Sequence, residues 1–312
     1  MKIFMNTTKK MGGILLVAVS AASFGIMPIF AKIASAAGTS TYSMLFLRFL
    51  IAAASMFSLL FVRGIQLPSA REMLAFFLLG AAGYTGQSFC YFTALNHASA
   101  GVVALLFYLY PALVMIGSAF FFREKITLKK VAALFLALSG AFVIIGSGFH
   151  ASPKGIVLSV FAAFFYSAYI LVSSKVIKAG MELQATVFIM MGAGTVYGVA
   201  NLILGFSPPT RPSGWGAVVL LALVSTALAL WSFFAGMEKT GPSTAALVST
   251  LEPVVTVLAS VFVLSEPITL NIVIGGCLVL ASLMVSAMPS REAELPWKFR
   301  FADLFYGKHG RK

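Results

Sequence analysis

The sequence predicts an all-α polytopic membrane protein of ten transmembrane helices in two inverted five-helix repeats, and three observations predict it. Of the 312 residues, 60% are hydrophobic and only 10% charged, with a mean hydropathy of +0.99, a balance that leaves too little polar surface for a soluble chain of this length. Apolar runs of roughly 20 residues, the length that crosses about 30 Å of hydrocarbon, follow one another to residue 288. The hexapeptide SEPITL at 265–270 repeats REKITL at 123–128, and the chain on either side keeps the same offset of 142 residues.

The ten spans are predicted at 14–36, 42–62, 73–95, 98–120, 129–147, 155–177, 184–205, 214–236, 241–264 and 270–288. Their apolar stretches are continuous rather than alternating, so each satisfies its backbone as a helix and not as a barrel strand. The first follows Lys9 and Lys10 and ends near Ala34-Ser35-Ala36, which imitates a secretory signal. It is too long for one and nine spans follow, so it reads as an uncleaved helix. The second contains Arg48; the third carries Tyr84, Gln87 and Tyr91 at helical spacing; the fourth is interrupted at Pro111, after Tyr110. A sixth-span stripe holds Ser159, Tyr166, Tyr169 and Ser173, and the eighth span holds Trp231. Gly194 and Gly198 give the seventh a small-x-x-x-small face, suited to packing within the chain or to a homodimer. The ninth is interrupted at Pro253 and carries Ser249, Glu252, Thr256 and Ser260 on one side.

The net charge of +13 is distributed by topology. Eighteen of the 22 Lys and Arg fall on the termini and on alternate connections, against Lys32, Lys154 and Arg211 on the opposite face, with Arg48 inside a span. The positive-inside rule puts both termini in the cytoplasm. The basic excess then serves orientation and anionic headgroups, and nucleic acid is not an expected partner. The tail, 289–312, interleaves aromatic and basic residues and is expected on the inner leaflet or frayed from it. Cys90 and Cys277 sit mid-span and His97, His150 and His309 are scattered, so neither a disulfide, a metal nor a cofactor is expected.

Carried outward without a gap, the offset aligns Pro111 with Pro253, Leu109 with Leu251, Gly13-Ile14 with Gly155-Ile156 and Ala37-Gly38 with Ala179-Gly180. The chain therefore divides into a first repeat, 13–147, and a second, 155–288. Five spans per repeat is an odd number, so the second copy enters the membrane from the opposite side. Arg123 and Lys125 accordingly become Ser265 and Pro267 when the repeated turn changes face. Inverted repeats are the architecture by which many secondary transporters build two-sided access around a central site.

The LRF of Leu47 to Phe49, the stretch ASAGVVALLFYLYPAL leading to REKIT, and its repetition as GPSTAALVSTLEPVVTVLASVFVLSEPIT resemble the EamA-domain transporters of the drug/metabolite transporter superfamily. The resemblance covers roughly residues 13 to 288. It implies ten helices in two inverted repeats, export of metabolites, amino acids or toxic compounds, and a bacterial inner membrane. This chain departs from internal symmetry where Tyr110 stands opposite Glu252.

Among nine acidic residues Glu252 alone lies deep within a span. A charge near a helix centre costs about 2.5–3.5 kcal/mol on insertion scales, so it is expected to face the bundle interior or a wet cavity. There it would exchange a coupling proton, hold a cationic group, or serve as hydrogen-bonded glue. Pro111 and Pro253 interrupt corresponding helices, the sequence pointer to a midplane site. Arg48, about 9 Å from its helix end at 1.5 Å per residue, is expected to snorkel outward or to hold a substrate carboxylate. Tyr84, Gln87, Tyr91, Tyr110, Tyr166, Tyr169 and Ser249 are candidate pocket residues, with Trp231 a lesser one. The expected function is secondary active export of a small metabolite such as an amino acid, with protons as the candidate coupling ion. The alternative is a facilitator or channel. An intramembrane enzyme lacks the clustered acids, bases or nucleophiles it would need, and no phosphate-cradling G-x-x-x-x-G-K-[ST] motif supports ATP hydrolysis.

Overall fold

A computed structural model describes residues 2–94, 97–98, 103, 106–124, 126–145, 152–264 and 270–287. The connection holding Glu266 and the tail 289–312 lie outside the described residues. In chain order the helices are α1 (Lys2–Gly25), α2 (Met27–Ala36), α3 (Thr41–Val62) and α4 (Ala70–Leu78), which runs through a π-helical turn (Leu79–Tyr84) into α5 (Thr85–Ala94). Then come α6 (Tyr110–Phe122), α7 (Leu128–Ile145), α8 (Pro153–Val176) and α9 (Glu182–Leu204). α10 (Pro212–Ala222) passes through a second π-helical turn (Leu223–Leu228) into α11 (Ala229–Thr240). α12 (Pro242–Val248), a 3-10 turn (Ser249–Leu251), α13 (Glu252–Leu264) and α14 (Leu270–Ala287) complete the order.

The starts are written locally. Ser40 and Ser152 accept hydrogen bonds from the backbone N–H of Ser43 and Gly155, and Ser69 with Glu72 forms a reciprocal capping box at α4. Six continuous helical stretches among the described residues are long and apolar enough to cross a membrane: Lys10–Ala36, Thr41–Val62, Ala70–Ala94, Pro153–Val176, Glu182–Leu204 and Pro212–Thr240. The protein is an all-α polytopic membrane protein. Its apolar exterior agrees with a lipid surround, Phe61, Val62, Leu202 and Phe262 each being more than four-fifths exposed.

The packing exchanges the two halves. α1 lies on α11, and its counterpart α8 lies on α5; α3 packs on its own counterpart α9, and α7 on α14. Glycines place this exchange at atomic detail. A Cβ on Gly13 would stand 2.8 Å from Lys239 Cβ and 2.7 Å from Thr240 Cγ2, while one on Gly155 would stand 2.8 Å from both His97 O and Ala98 Cβ. Each of these three residue pairs, 13 with 155, 97 with 239 and 98 with 240, keeps the offset of 142.

The Gly194 and Gly198 face, expected to serve either a homodimer or the chain itself, is taken by the chain. A Cβ there would meet Phe49 Cβ at 3.4 Å and Phe46 at 3.1 Å, both on α3. Closest of all is α9 against the α4 π-turn: a Cβ on Gly80 would fall 1.9 Å from Ile189 O, and one on Gly192 would fall 2.1 Å from Phe77 O. Gly80→Val should therefore destabilise the protein by about 1–3 kcal/mol through overpacking, read as a lowered thermal-unfolding midpoint in detergent. Gly216→Ala, which meets nothing within 4 Å, should leave the midpoint unchanged. Equal midpoints for the two variants would remove the close approach from the account of the fold.

Candidate functional site

Arg48 belongs to the third turn of α3, and its side chain does not snorkel outward: the residue is 3% exposed. Its guanidinium finds three neutral acceptors. Nε donates to Thr226 Oγ1, and Nη2 donates to Tyr84 Oη at 3.2 Å and to Ser225 O at 3.4 Å. The ring of Phe49 lies beneath it, 5.0 Å from Cζ to centroid. Among the described residues no carboxylate comes within ion-pair distance of it.

All three acceptors come from the two π-helical turns. Such a turn inserts one residue into the α-helical ladder and is found mostly at functional sites. Here the two are stapled alike: Thr85 Oγ1 donates to Gly80 O at 3.0 Å, and Thr226 Oγ1 donates to Leu221 O at 2.8 Å, each five residues back. Thr226 thus gives its hydrogen to its own helix and its lone pair to Arg48.

Glu252 opens α13 after the 3-10 turn. Pro253 has no N–H to give the Ser249 carbonyl, and that carbonyl accepts instead from Glu252 N–H in the 3-10 turn. The α1–α2 break lies against this point. Ile29 N–H bonds to Ile26 O rather than to Gly25 O, and Thr256 Oγ1 supplies Gly25 O with a donor at 2.8 Å. In the other half Ser167, the counterpart of Gly25, donates to the carbonyl of Tyr110, the counterpart of Glu252, at 3.2 Å. Glu252 is half-buried as a residue, and among the described residues its carboxylate has no hydrogen-bond or ion-pair partner. It lies within electrostatic reach of Arg48, Tyr84, Tyr91, Tyr108, Tyr110 and Tyr166.

The predicted tyrosines converge. Ring centroids run from Phe49 to Tyr84 at 5.6 Å, Tyr84 to Tyr169 at 5.4 Å, Tyr169 to Tyr166 at 6.0 Å and Tyr166 to Tyr110 at 4.8 Å. Phe107 then joins Tyr110 and Tyr91, each at 5.3 Å. Gln87 makes a local contact instead, its Oε1 accepting from the adjacent Ser88 Oγ at 3.3 Å. Ser249 is buried beside Tyr110 with its hydroxyl donating to Ala245 O. Trp231 is not brought in; it is 36% exposed on α11. Sequence reasoning missed Thr226, Ser225, Phe49, Phe107 and Tyr108. A groove of about 480 Å³ between α5 and α9, lined among others by Ala82, Thr85, Phe89, Phe165 and Tyr197, contains neither Arg48 nor Glu252.

The sequence profile of the EamA-like transporter family matches twice, at residues 11–146 and 153–288. The chain is 28% identical over 253 residues to the uncharacterized transporter YyaM of Bacillus subtilis (strain 168), covering 76% of this chain and 81% of that one. It is 26% identical over 204 residues to the aromatic amino acid exporter YddG of Ancylobacter novellus, covering 63% and 70%. With a probable terminal-alkyne amino-acid exporter of Streptantibioticus cattleyicolor it shares 29% over 231 residues, covering 71% and 75%. A solved crystal structure superposes with a TM-score of 0.79 over 88% of this chain and 98% of that one; at 22% identity the likeness is one of fold.

The Arg48 cradle makes a double-mutant prediction. Thr226→Val deprives a buried charged donor of its acceptor and should destabilise by about 1–3 kcal/mol. In an Arg48→Met background the same change should matter little, giving a coupling of about 0.5–3 kcal/mol in thermal or denaturant unfolding in detergent. Additive effects would mean that Thr226 acts only on its own helix.

Proposed function

The chain belongs to the EamA-like transporter family, and on that premise we propose that it is a secondary active transporter that exports a small zwitterionic metabolite, an amino acid in the first instance, across the bacterial cytoplasmic membrane. The observation that carries this reading is a buried arginine with only neutral acceptors, facing a carboxylate with which it does not pair. A buried cation without a counter-charge is strongly disfavoured, and a substrate carboxylate meets that need with the planar, bidentate geometry arginine favours. Glu252 then receives the substrate ammonium or the coupling proton. The chain of rings from Phe49 and Tyr84, which touch Arg48, to Tyr110 suits an apolar or aromatic side chain, as small-ligand sites are mostly apolar with a few placed polar groups.

Two of the relatives named above carry the names aromatic amino acid exporter and probable terminal-alkyne amino-acid exporter, which supports the substrate class by analogy. The exchange packing of the halves supports two inverted repeats and alternating access by rocking of one against the other. The charge asymmetry of the connections supports cytoplasmic termini. Nothing in this reading asks the chain for covalent chemistry.

The test is flux in proteoliposomes or inverted vesicles, with an amino-acid panel and an imposed pH gradient. Wild type should accumulate a substrate with the gradient. Glu252→Gln should lose the gradient-driven component, and Arg48→Gln should raise KM at least about tenfold for carboxylate-bearing substrates, the loss of a charge-assisted hydrogen bond. If Glu252→Gln transports as wild type does, the protein is a facilitator and the carboxylate is packing. If Arg48→Gln leaves KM unchanged, the carboxylate anchor is elsewhere.

A further inference from the structure

The repeated E-x-I-T-L connection has a structural use that the central site does not explain. Arg123, at a left-handed φ of 54°, turns the chain out of α6, and the Glu124 N–H returns to Ser118 O at 3.2 Å. The Glu124 carboxylate then bridges two other helices. Ser243 Oγ, in the first turn of α12, donates to Oε2 at 2.6 Å, and Lys130 Nζ on α7 pairs with Oε1. Beside this bridge Leu247 of α12 packs with Met115 and Ala112 of α6 and with Ala133 and Leu134 of α7. The helices continuing into Tyr110 and Glu252 are thus held together at one end by a carboxylate shared between a hydroxyl and an ammonium, beside an apolar seal.

The offset of 142 carries Glu124 onto Glu266 but Ser243 onto Gly101 and Lys130 onto Ile272. In sequence, therefore, the equivalent set keeps the carboxylate but has neither the serine nor the lysine at the matching positions. We propose that Glu124, Ser243 and Lys130 form a latch that closes the transporter on the face carrying Arg123 and Lys130, and that this latch, whose serine and lysine are matched in sequence by Gly101 and Ile272, biases the resting protein toward the state closed on this face. The inference rests on the alternating-access reading. In a duplicated transporter the two end states would be equal in energy if the halves were identical, so the occupied state is set by the residues at which they differ. Bonds to a charged acceptor are about twice as strong as neutral ones, which gives this bridge weight at the end that carries it.

The experiment needs no substrate. In the full chain with Cys90→Ala and Cys277→Ala, a reporter Ala246→Cys is placed on α12, where Ala246 is fully buried. Its reaction with a membrane-impermeant maleimide is timed in inside-out and right-side-out vesicles. With the latch intact, labelling from the face carrying Lys130 should be slow. Ser243→Ala and Glu124→Ala should each speed it about tenfold or more from that face alone, the shift expected on losing a hydrogen bond to a charged group, and Ser243→Thr should keep it slow. Unchanged rates, or a rise of equal size from both faces, would overturn the latch; the second pattern is that of loosened packing. Should Glu124→Ala fail to reach the membrane, Ser243→Ala and Lys130→Met decide between the same outcomes. Failure here leaves the flux results for Arg48 and Glu252 untouched, so the latch and the transport reading stand or fall separately.

Discussion

A guanidinium within a span must find its acceptors inside the protein, and this chain meets that requirement by breaking helices. A continuous α-helix offers a neighbour almost no main-chain acceptor, because its carbonyls are already bonded. The π-turn at Leu223–Leu228 points Ser225 O and Thr226 Oγ1 at Arg48, and the one at Leu79–Tyr84 places Tyr84 beside them. Each break also creates a loss that another element makes good. Gly25 O, deprived of Ile29 N–H, receives Thr256 from 231 residues away, and Arg48 receives Thr226 from 178 residues away. The repairs run from one half of the chain to the other, so the breaks that build the site also join the halves.

Duplication explains the scaffold, and its violations mark the chemistry. Where the copies agree, they agree on space: Gly13 and Gly155 permit the same close approach against the same pair of partner positions. Where they differ, they differ in polarity. Tyr110 and Glu252 each begin a helix, and the element beside each supplies either a close glycine or a bonding serine, Gly25 beside Glu252 and Ser167 beside Tyr110. A symmetric pair of carboxylates would have placed two acids in one low-dielectric space, where like charges disfavour each other. One acid facing one arginine avoids that repulsion.

Much of this was legible in the sequence because it follows from hydropathy and from a constant offset. The convergence of Tyr84, Tyr91, Tyr110, Tyr166 and Tyr169 was legible for a second reason: residues three or four apart share a helix face. The same rule hid Thr226. A π-turn adds a residue to the ladder, so the face computed at 3.6 residues per turn is wrong beyond it, and nothing in Leu-Val-Ser-Thr-Ala-Leu announces such a turn. Arg48 was left open in direction, because its acceptors lie on other helices and no local pattern encodes them. Trp231 shows the converse error, since an aromatic within a span carries no signal of which way it faces.

The separation of Arg48 from Glu252 gives the arrangement its functional meaning. Had they met within 4 Å, each would have neutralised the other. Breaking such a buried pair to admit a ligand would leave an uncompensated charge, a loss of about 3–5 kcal/mol. Held apart, the arginine rests on neutral acceptors, which take three hydrogen bonds from it without cancelling its charge, and the carboxylate stands among rings that cannot cancel its own. On the proposed reading, two opposite charges, each short of a counter-charge and neighboured by aromatic rings, would match a molecule with the opposite pair and an apolar body. Such a ligand loses little when it enters and is not trapped by a bond it must break to leave, which is what transport asks of a binding site.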